Sequence, residues 1–115
     1  MDIVFVKNCR VLAKHGYYKE EHKKPQNFIV SVYAKLHTES ASKQDDLAKT
    51  LNYEHIRKYI YEVLEQSPRN LVESLAEEIA EKVLNHDIYS VEVEIEKPDV
   101  WGDCVPGVKI YRQKK

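Results

Sequence analysis

The segment from Asn70 to His86 constrains the fold more than any other part of the sequence, because its apolar residues recur at helical spacing. The residues that fall on one side of the helix are Leu71, Val72, Leu75, Ala76, Ile79 and Val83. A helix with one apolar side has to bury it against another layer of structure. The rest of the chain must therefore supply that layer.

The start of this helix carries a polar signature that has two interpretations. Asn70 can accept the first free backbone amides, and Glu73 stands three residues later, where the carboxylate of a capping box reaches back. The same carboxylate can instead face a cleft and bind a ligand. The local sequence favours capping, so a ligand-binding role for Glu73 needs support from elsewhere in the chain.

Alternation of apolar and polar residues predicts the strands. The clearest strand runs from Phe28 to Leu36, and β-branched composition predicts another over Ile3 to Ala13. Two more are predicted near the carboxyl end, at Val91 to Glu96 and at Val108 to Tyr111. Between the first two strands, Lys14 to Gln26 is crowded with charges and predicts a long loop.

A second amphipathic helix is predicted from an N-cap at Asn52 to about Glu65, after a polar connection over His37 to Thr50 with room for a short helical turn. The order strand, strand, helix, helix, strand, strand predicts an α+β fold. In it a four-stranded antiparallel sheet carries two helices on one face. Glu92 and Glu94 predict that the other face is polar, and the open sheet edges are expected to join copies of the chain.

The size and charge of the chain limit the classes of protein it can be. Its 115 residues predict one domain spanning 1–115, and a net charge of -1 offers no electrostatic surface for nucleic acid or membrane. No segment reaches membrane-spanning length, and the first residues lack the pattern of a secretory signal. Cys9 and Cys104 lie in no CxxC arrangement. These features predict a cytoplasmic protein with free thiols.

Three further residues are candidates for chemistry, although each has an ordinary structural explanation. Glu21 lies among solvated charges, Tyr53 begins a helix where aromatic residues usually pack, and Lys97 ends a strand before Pro98. The five histidines show no metal-binding spacing, and no phosphate-binding loop or nucleophile elbow is present in the sequence. The sequence therefore predicts neither a metal nor another cofactor.

Four short motifs occur in order along the chain: HGYYKEEHKKPQ from His15, LNY ending at Tyr53, LVE ending at Glu73, and EKP around Lys97. In this order and on this arrangement of elements, they resemble the dihydroneopterin aldolases of folate biosynthesis. The resemblance extends from residue 3 to residue 112. It implies the tunnelling fold, in which subunits join their sheets edge to edge into a tetrameric ring, commonly paired as an octamer. The pterin sites of that family lie between subunits.

The resemblance also implies roles for individual residues. Glu73, with the adjacent Val72, is implied to bind the aminopyrimidine edge of the pterin, whose two neighbouring N–H donors a carboxylate accepts in parallel. Tyr53 is implied to cover the pterin from a neighbouring subunit and to join proton transfer. Glu21 is implied to steer the side chain of the substrate, and Lys97 to be the catalytic lysine.

The reaction that the resemblance implies is retro-aldol cleavage of 7,8-dihydroneopterin into 6-hydroxymethyl-7,8-dihydropterin and glycolaldehyde, accompanied by epimerisation of the side chain. The C=N bond of the substrate ring can take up the electrons, so neither a metal nor a Schiff base to the protein is expected. The protein has to supply a base for the side-chain hydroxyl and an acid for the ring nitrogen.

Two alternatives stay open. A related branch of the family epimerises dihydroneopterin triphosphate, a substrate that requires a cationic pocket, and His22, Lys23 and Lys24 are a weak candidate for one. The other alternative is a catalytically silent ring protein that binds pterins.

Two stretches depart from the family pattern and bear on the choice of substrate. Tyr17 follows Gly16 where relatives usually carry a small aliphatic residue. The connection over residues 99–107 contains Trp101 and Cys104, in a segment that is often richer in small residues.

Overall fold

The computed structural model describes residues 1–114. The strands are β1 (Asp2–Ala13), β2 (Gln26–Leu36), β3 (Ser90–Glu96) and β4 (Gly107–Gln113). The helices are α1 (Glu39–Gln44), α2 (Tyr53–Leu64) and α3 (Val72–Leu84), and one-turn 3-10 helices lie at Lys19–His22 and Leu47–Lys49. The predicted long helices and strands are therefore present, and the connections contain more helical structure than the sequence predicted.

The four strands form one antiparallel sheet in the order β1-β2-β3-β4. Helix α2 packs against β1, and α3 packs against β3 and β4. Strand β2 supplies the centre of the core, because the inward-facing side chains of Phe28, Val30, Val32 and Ala34 are fully buried. The α+β prediction and the alternation predicted for β2 are confirmed. Among residues 1–114, no helix is long and apolar enough to cross a membrane.

Strand β1 changes its pairing halfway along its length. Its register with β2 shifts between Val6 and Cys9, and Asn8 there has φ 59°. Asparagine tolerates this left-handed conformation better than most residues, and the Asn8 N–H donates to Ser31 Oγ at 2.9 Å. The bulge lets apolar residues on both sides of it face the helices even though the sequence alternation is broken.

The start of α3 differs from the prediction. Leu71, not Asn70, is the N-cap residue; its side chain makes no capping hydrogen bond and is 46% exposed, although the helical pattern placed it on the buried side. The preceding chain is held by a tertiary contact, since the Arg69 N–H donates to His15 Nδ1 at 3.0 Å. The capping interpretation of Asn70 and Glu73 is therefore wrong.

The sheet face opposite the helices is only partly polar. Across β3 and β4, Lys109 Nζ lies 3.5 Å from Glu94 Oε2, as expected for a solvated face. Across β1 and β2, however, Phe5 packs on Tyr33 with ring centroids 5.6 Å apart, and Ile3 is 52% exposed. The prediction of a polar face is therefore confirmed for β3 and β4 and wrong for β1 and β2, because it rested on the charged residues of the two strands at the carboxyl end.

Candidate active site

Lys97 and Glu21 form an ion pair at one end of the sheet. Lys97 follows the last residue of β3, and its Nζ donates a hydrogen bond to Glu21 Oε2. The two side chains are 14% and 17% exposed, so the pair is much less screened by water than an ordinary surface salt bridge. The Lys97 N–H donates to Pro106 O at 3.0 Å, which closes the base of the β3–β4 loop. The backbone on both sides of Lys97 is thus fixed.

The Glu21 carboxylate is held by further donors in its own loop. The Tyr18 N–H donates to Oε1 at 3.2 Å, and Gln26 Nε2 donates to Oε2 at 3.0 Å. Burial alone would raise the pKa of Glu21, but the hydrogen bonds from Lys97, Gln26 and Tyr18 outweigh it and lower the pKa below its ordinary value. Glu21 therefore stays an oriented carboxylate at neutral pH.

Gly16 makes room for this carboxylate. Its φ is +154°, and a Cβ at this position would lie 2.3 Å from Glu21 Cδ. The Gly16 N–H donates to Arg69 O at 3.0 Å, and His22 Nε2 lies 2.8 Å from Gly16 O. The loop therefore folds against Gly16 at a distance that only a glycine permits.

His15 anchors the same loop from the core. It is fully buried, with Nε2 2.6 Å from Leu64 O and Nδ1 accepting from the Arg69 N–H. These partners require the neutral ring protonated on Nε2. Burial lowers the pKa of His15, which favours this neutral form. No local sequence pattern reveals this role of His15, because its partners are backbone groups 49 and 54 residues away.

A cleft of about 780 Å³ lies over the ion pair. Its aromatic and apolar walls include Tyr17, Tyr18 and Trp101, and Gln26 lies among its polar residues. Apolar walls around a few oriented polar groups are typical of a small-molecule site. The cleft can therefore hold a flat, partly polar ligand with one end at Lys97.

The other predicted site residues lie outside this cleft. Glu73 borders a separate shallow depression with Arg69 and Glu77, and Tyr53 is 63% exposed at the start of α2. The Val72 side chain is 8% exposed and belongs to the core, so a ligand contact from this residue has to use its main chain. The structure thus brings Glu21 and Lys97 together and leaves Tyr53, Val72 and Glu73 apart from them.

The side chains of the residue types that commonly ligate metals do not cluster within residues 1–114. Within residues 1–114, no group of three His, Cys, Asp or Glu side chains is arranged to hold a metal ion. Cys9 and Cys104 are free thiols, and burial raises the pKa of Cys9.

Comparison with known proteins agrees with the motifs and with this geometry. A family model described as dihydroneopterin aldolase matches residues 4–111, which is nearly the whole chain. The chain belongs to the dihydroneopterin aldolase family. The family and the aldolase function predicted from the sequence are therefore confirmed.

Individual dihydroneopterin aldolases support the assignment. The chain is 39% identical over 100 residues to the dihydroneopterin aldolase of Streptomyces coelicolor, covering 86% of this chain and 84% of that protein. It is 37% identical over 120 residues to dihydroneopterin aldolase 1 of Arabidopsis thaliana, covering 98% and 82%. Escherichia coli dihydroneopterin aldolase in complex with neopterin superimposes with a TM-score of 0.91 at 31% identity, covering 97% of this chain and 99% of that chain.

Proposed function

We propose that the cleft binds the side-chain end of 7,8-dihydroneopterin and that Lys97 transfers the protons in its retro-aldol cleavage to 6-hydroxymethyl-7,8-dihydropterin and glycolaldehyde. The observation that carries the proposal is the buried Lys97–Glu21 pair beneath a cleft large enough for a bicyclic ligand. The crystal structure of the E. coli relative holds neopterin, a ligand of the same ring system.

The side chains of the cleft suit the chemistry of this cleavage. A base removes the proton of the hydroxyl on the second side-chain carbon, the bond between the first and second carbons breaks to release glycolaldehyde, and the electron pair moves through the ring C=N bond to its nitrogen, which is protonated. Protonation of the first side-chain carbon and loss of the proton from the ring nitrogen then restore the C=N bond and give 6-hydroxymethyl-7,8-dihydropterin. Lys97 serves these proton transfers, and Glu21 orients both Lys97 and the substrate hydroxyls. Because the substrate ring takes up the electrons, the proposal requires neither a metal nor a Schiff base on Lys97.

We also propose that the site is completed by a second copy of the chain. Glu73 and Tyr53, to which the family resemblance gives pterin-binding roles, do not line the cleft of their own chain. Tyr53 at the start of α2 and Leu71 at the start of α3 are exposed, and the outer edges of β1 and β4 have no strand beside them in the sheet of residues 1–114. Such edges pair readily with other copies. A tetrameric ring, doubled into an octamer, would pair the open sheet edges and let a second copy complete each site.

Charge in the cleft favours the free triol over its triphosphate. The acidic side chains that line the cleft are Glu20, Glu21 and Asp99, and the basic ones are Lys24 and Lys97. Lys97 is already paired with Glu21, and His22 contacts Gly16 O, so neither is free to bind a phosphate. Epimerisation of the unphosphorylated side chain is compatible with the same groups and is proposed as an accompanying activity. The cytoplasmic location predicted from the sequence stays a prediction.

The test is to incubate the purified protein with 7,8-dihydroneopterin, oxidise the products and separate the fluorescent pterins by chromatography. Lys97→Ala is assayed alongside Lys109→Ala, which removes a lysine paired with Glu94 on the same sheet. We expect hydroxymethylpterin from the parent and from Lys109→Ala, with a loss of about a hundredfold or more in kcat for Lys97→Ala. Full turnover by Lys97→Ala would overturn the role of Lys97. Ligand binding without any product in the parent would favour the silent pterin-binding protein.

A further inference from the structure

The loop between β3 and β4 holds its first residues beside Lys97. Its base is closed by the hydrogen bond from the Lys97 N–H to Pro106 O, and Asn27 Nδ2 donates to Asp99 Oδ2 at 2.9 Å. Asn27 lies near the start of β2, so this bond fastens the loop to one end of an inner strand of the sheet. Beyond this anchor, no atom lies within 4 Å of a Cβ placed at Gly102. The loop is therefore fixed at its root and open at its tip.

Trp101 lies between that root and that tip. Its side chain is 56% exposed, so it does not contribute to the core in the way most tryptophans do. It lines the same cleft as Glu21 and Lys97. Tyr17 and Tyr18, from the loop after β1, line this cleft as well, and their rings pack edge to face with centroids 5.2 Å apart. Three aromatic residues from two loops thus line the cleft that contains the ion pair.

The position of Trp101 indicates which part of a ligand it contacts. Lys97 and Glu21 are the groups suited to the hydroxyls of the substrate side chain, and Trp101 shares their cleft. The part of the substrate beside Trp101 is therefore the polyol chain, whose C–H groups present an apolar surface between the hydroxyls. An indole ring provides a flat apolar surface that packs against such groups.

We propose that Trp101 is a specificity-determining residue that packs against the trihydroxypropyl side chain and so raises the affinity for pterins that carry it. This inference rests on the proposed function, because it takes the dihydroneopterin side chain to lie at Lys97. It assigns a role to a residue at which the chain departs from the usual family pattern.

The experiment compares two oxidised pterins that the enzyme does not cleave. Neopterin carries the side chain, whereas 6-hydroxymethylpterin lacks its two outer carbons. Titration calorimetry measures the Kd of both ligands for the parent, Trp101→Ala and Val105→Ala. Val105 is the matched control, since it is 51% exposed in the same loop and does not line the cleft. We expect Trp101→Ala to weaken neopterin binding about threefold to tenfold, to change hydroxymethylpterin binding less than twofold, and Val105→Ala to change neither.

Trp101 also provides a direct readout, because it is the only tryptophan in the chain. We expect bound neopterin to protect its fluorescence from quenching by acrylamide, and bound hydroxymethylpterin to protect it less. Equal losses for both ligands in Trp101→Ala, or no loss for either, would overturn the proposal. A change in the assembly size of Trp101→Ala on a sizing column would also overturn it, since Trp101 would then be a contact between copies.

The outcomes separate this inference from the proposed function. A parent protein that prefers neopterin through Trp101 but does not cleave dihydroneopterin would refute the aldolase mechanism alone. A parent that cleaves dihydroneopterin while Trp101→Ala behaves like Val105→Ala would refute the role of Trp101 alone.

Discussion

Lys97 Nζ donates its hydrogen bond to Glu21 Oε2 across 76 residues of sequence, which joins the end of β3 to the loop that follows β1. Both side chains are more than four-fifths buried, so removing one partner leaves a poorly solvated charge behind. The proposed proton-transfer residue and the proposed substrate-orienting residue therefore depend on each other for their geometry. A substitution at either residue should therefore disturb the position of the other.

Replacing Gly16 tests how strictly Glu21 is positioned. In Gly16→Ala the new Cβ would overlap the Glu21 carboxylate, and the φ of +154° is strained for any residue with a side chain. We expect a destabilisation of about 1–3 kcal/mol. We also expect a fall in kcat/KM on the order of a hundredfold, because Glu21 and Lys97 shift together. Urea unfolding and steady-state cleavage of 7,8-dihydroneopterin measure the two effects.

Gly102→Ala is the control for this substitution, since nothing lies within 4 Å of a Cβ there. It should change neither stability nor kcat/KM appreciably. If Gly16→Ala also kept parental activity, the close fit between Gly16 and Glu21 would have no importance for catalysis.

The role of Glu73 can be separated from helix stability. Its side chain makes no capping box with the residue at the start of α3, so Glu73→Gln should leave the unfolding free energy nearly unchanged. A neutral amide cannot accept two pterin N–H donors in the same way, so affinity for neopterin should fall tenfold or more. Glu81→Gln, which changes an exposed residue of the same depression, is the control. Parental neopterin affinity in Glu73→Gln would rule out the ligand-binding role.

If sites are shared between copies as proposed, two inactive variants should complement each other. Lys97→Ala keeps Tyr53, and Tyr53→Phe keeps Lys97. The two variants are refolded together in equal amounts. In a ring with heterologous contacts, a site is intact only where a chain with Lys97 meets a neighbour with Tyr53, so roughly a quarter of the sites should regain activity. The cleavage assay on the mixture measures this, with each variant refolded alone as reference. Activity no higher than the mean of the two variants would place Tyr53 and Lys97 in sites that are not shared.

His15 predicts a loss of stability in mild acid. Burial lowers its pKa in the folded state, whereas in the unfolded chain the pKa lies at about 6.5. The unfolded state therefore binds more protons below that value, and stability falls as the pH drops from about 6.5 toward the lower folded pKa. The slope reaches at most about 1.4 kcal/mol for each pH unit. The pKa of His86 is lowered too, by burial and by the charges of His55 and Lys114, and adds to the same effect.

The measurement is urea unfolding between pH 7.5 and 5.5 for the parent and for His15→Asn. The variant loses the contacts to Leu64 and Arg69, so it should be less stable at pH 7.5, but its stability should depend less on pH. Parallel pH profiles for the two proteins would show that His15 does not cause the acid sensitivity.

Regular periodicity made much of the fold predictable from sequence. Strand β2 has one side that is wholly apolar. Asn52 caps α2, because its side chain accepts from the Glu54 N–H at 2.8 Å, so both elements follow from local patterns. The start of α3 was not predictable in this way, because it is fixed by the contact of Arg69 with His15. The exposed Phe5–Tyr33 pair was missed for a similar reason, since it depends on which strands become neighbours.

The sequence motifs predicted which residues belong to the candidate site but not how their side chains are arranged in space. The motifs named Glu21 and Lys97, but only the fold shows that the two side chains touch. The roles of Gln26 and Tyr18 in holding Glu21 depend on the conformation of a loop that has no periodicity. Whether Glu73 and Tyr53 join the same ligand depends on contacts between copies, which lie outside the information in one chain.

The bulge at Asn8 also affects how β1 can meet another strand. Because β1 is at the edge of the sheet and its register shifts near its middle, a neighbouring strand encounters a bent template with a stronger local twist. Stacking copies along a straight line would repeat that bend at every junction, and a bend repeated in one direction turns the row back toward its start. In the ring proposed above, one left-handed asparagine would thus favour closure after a few subunits over growth into an open-ended fibre.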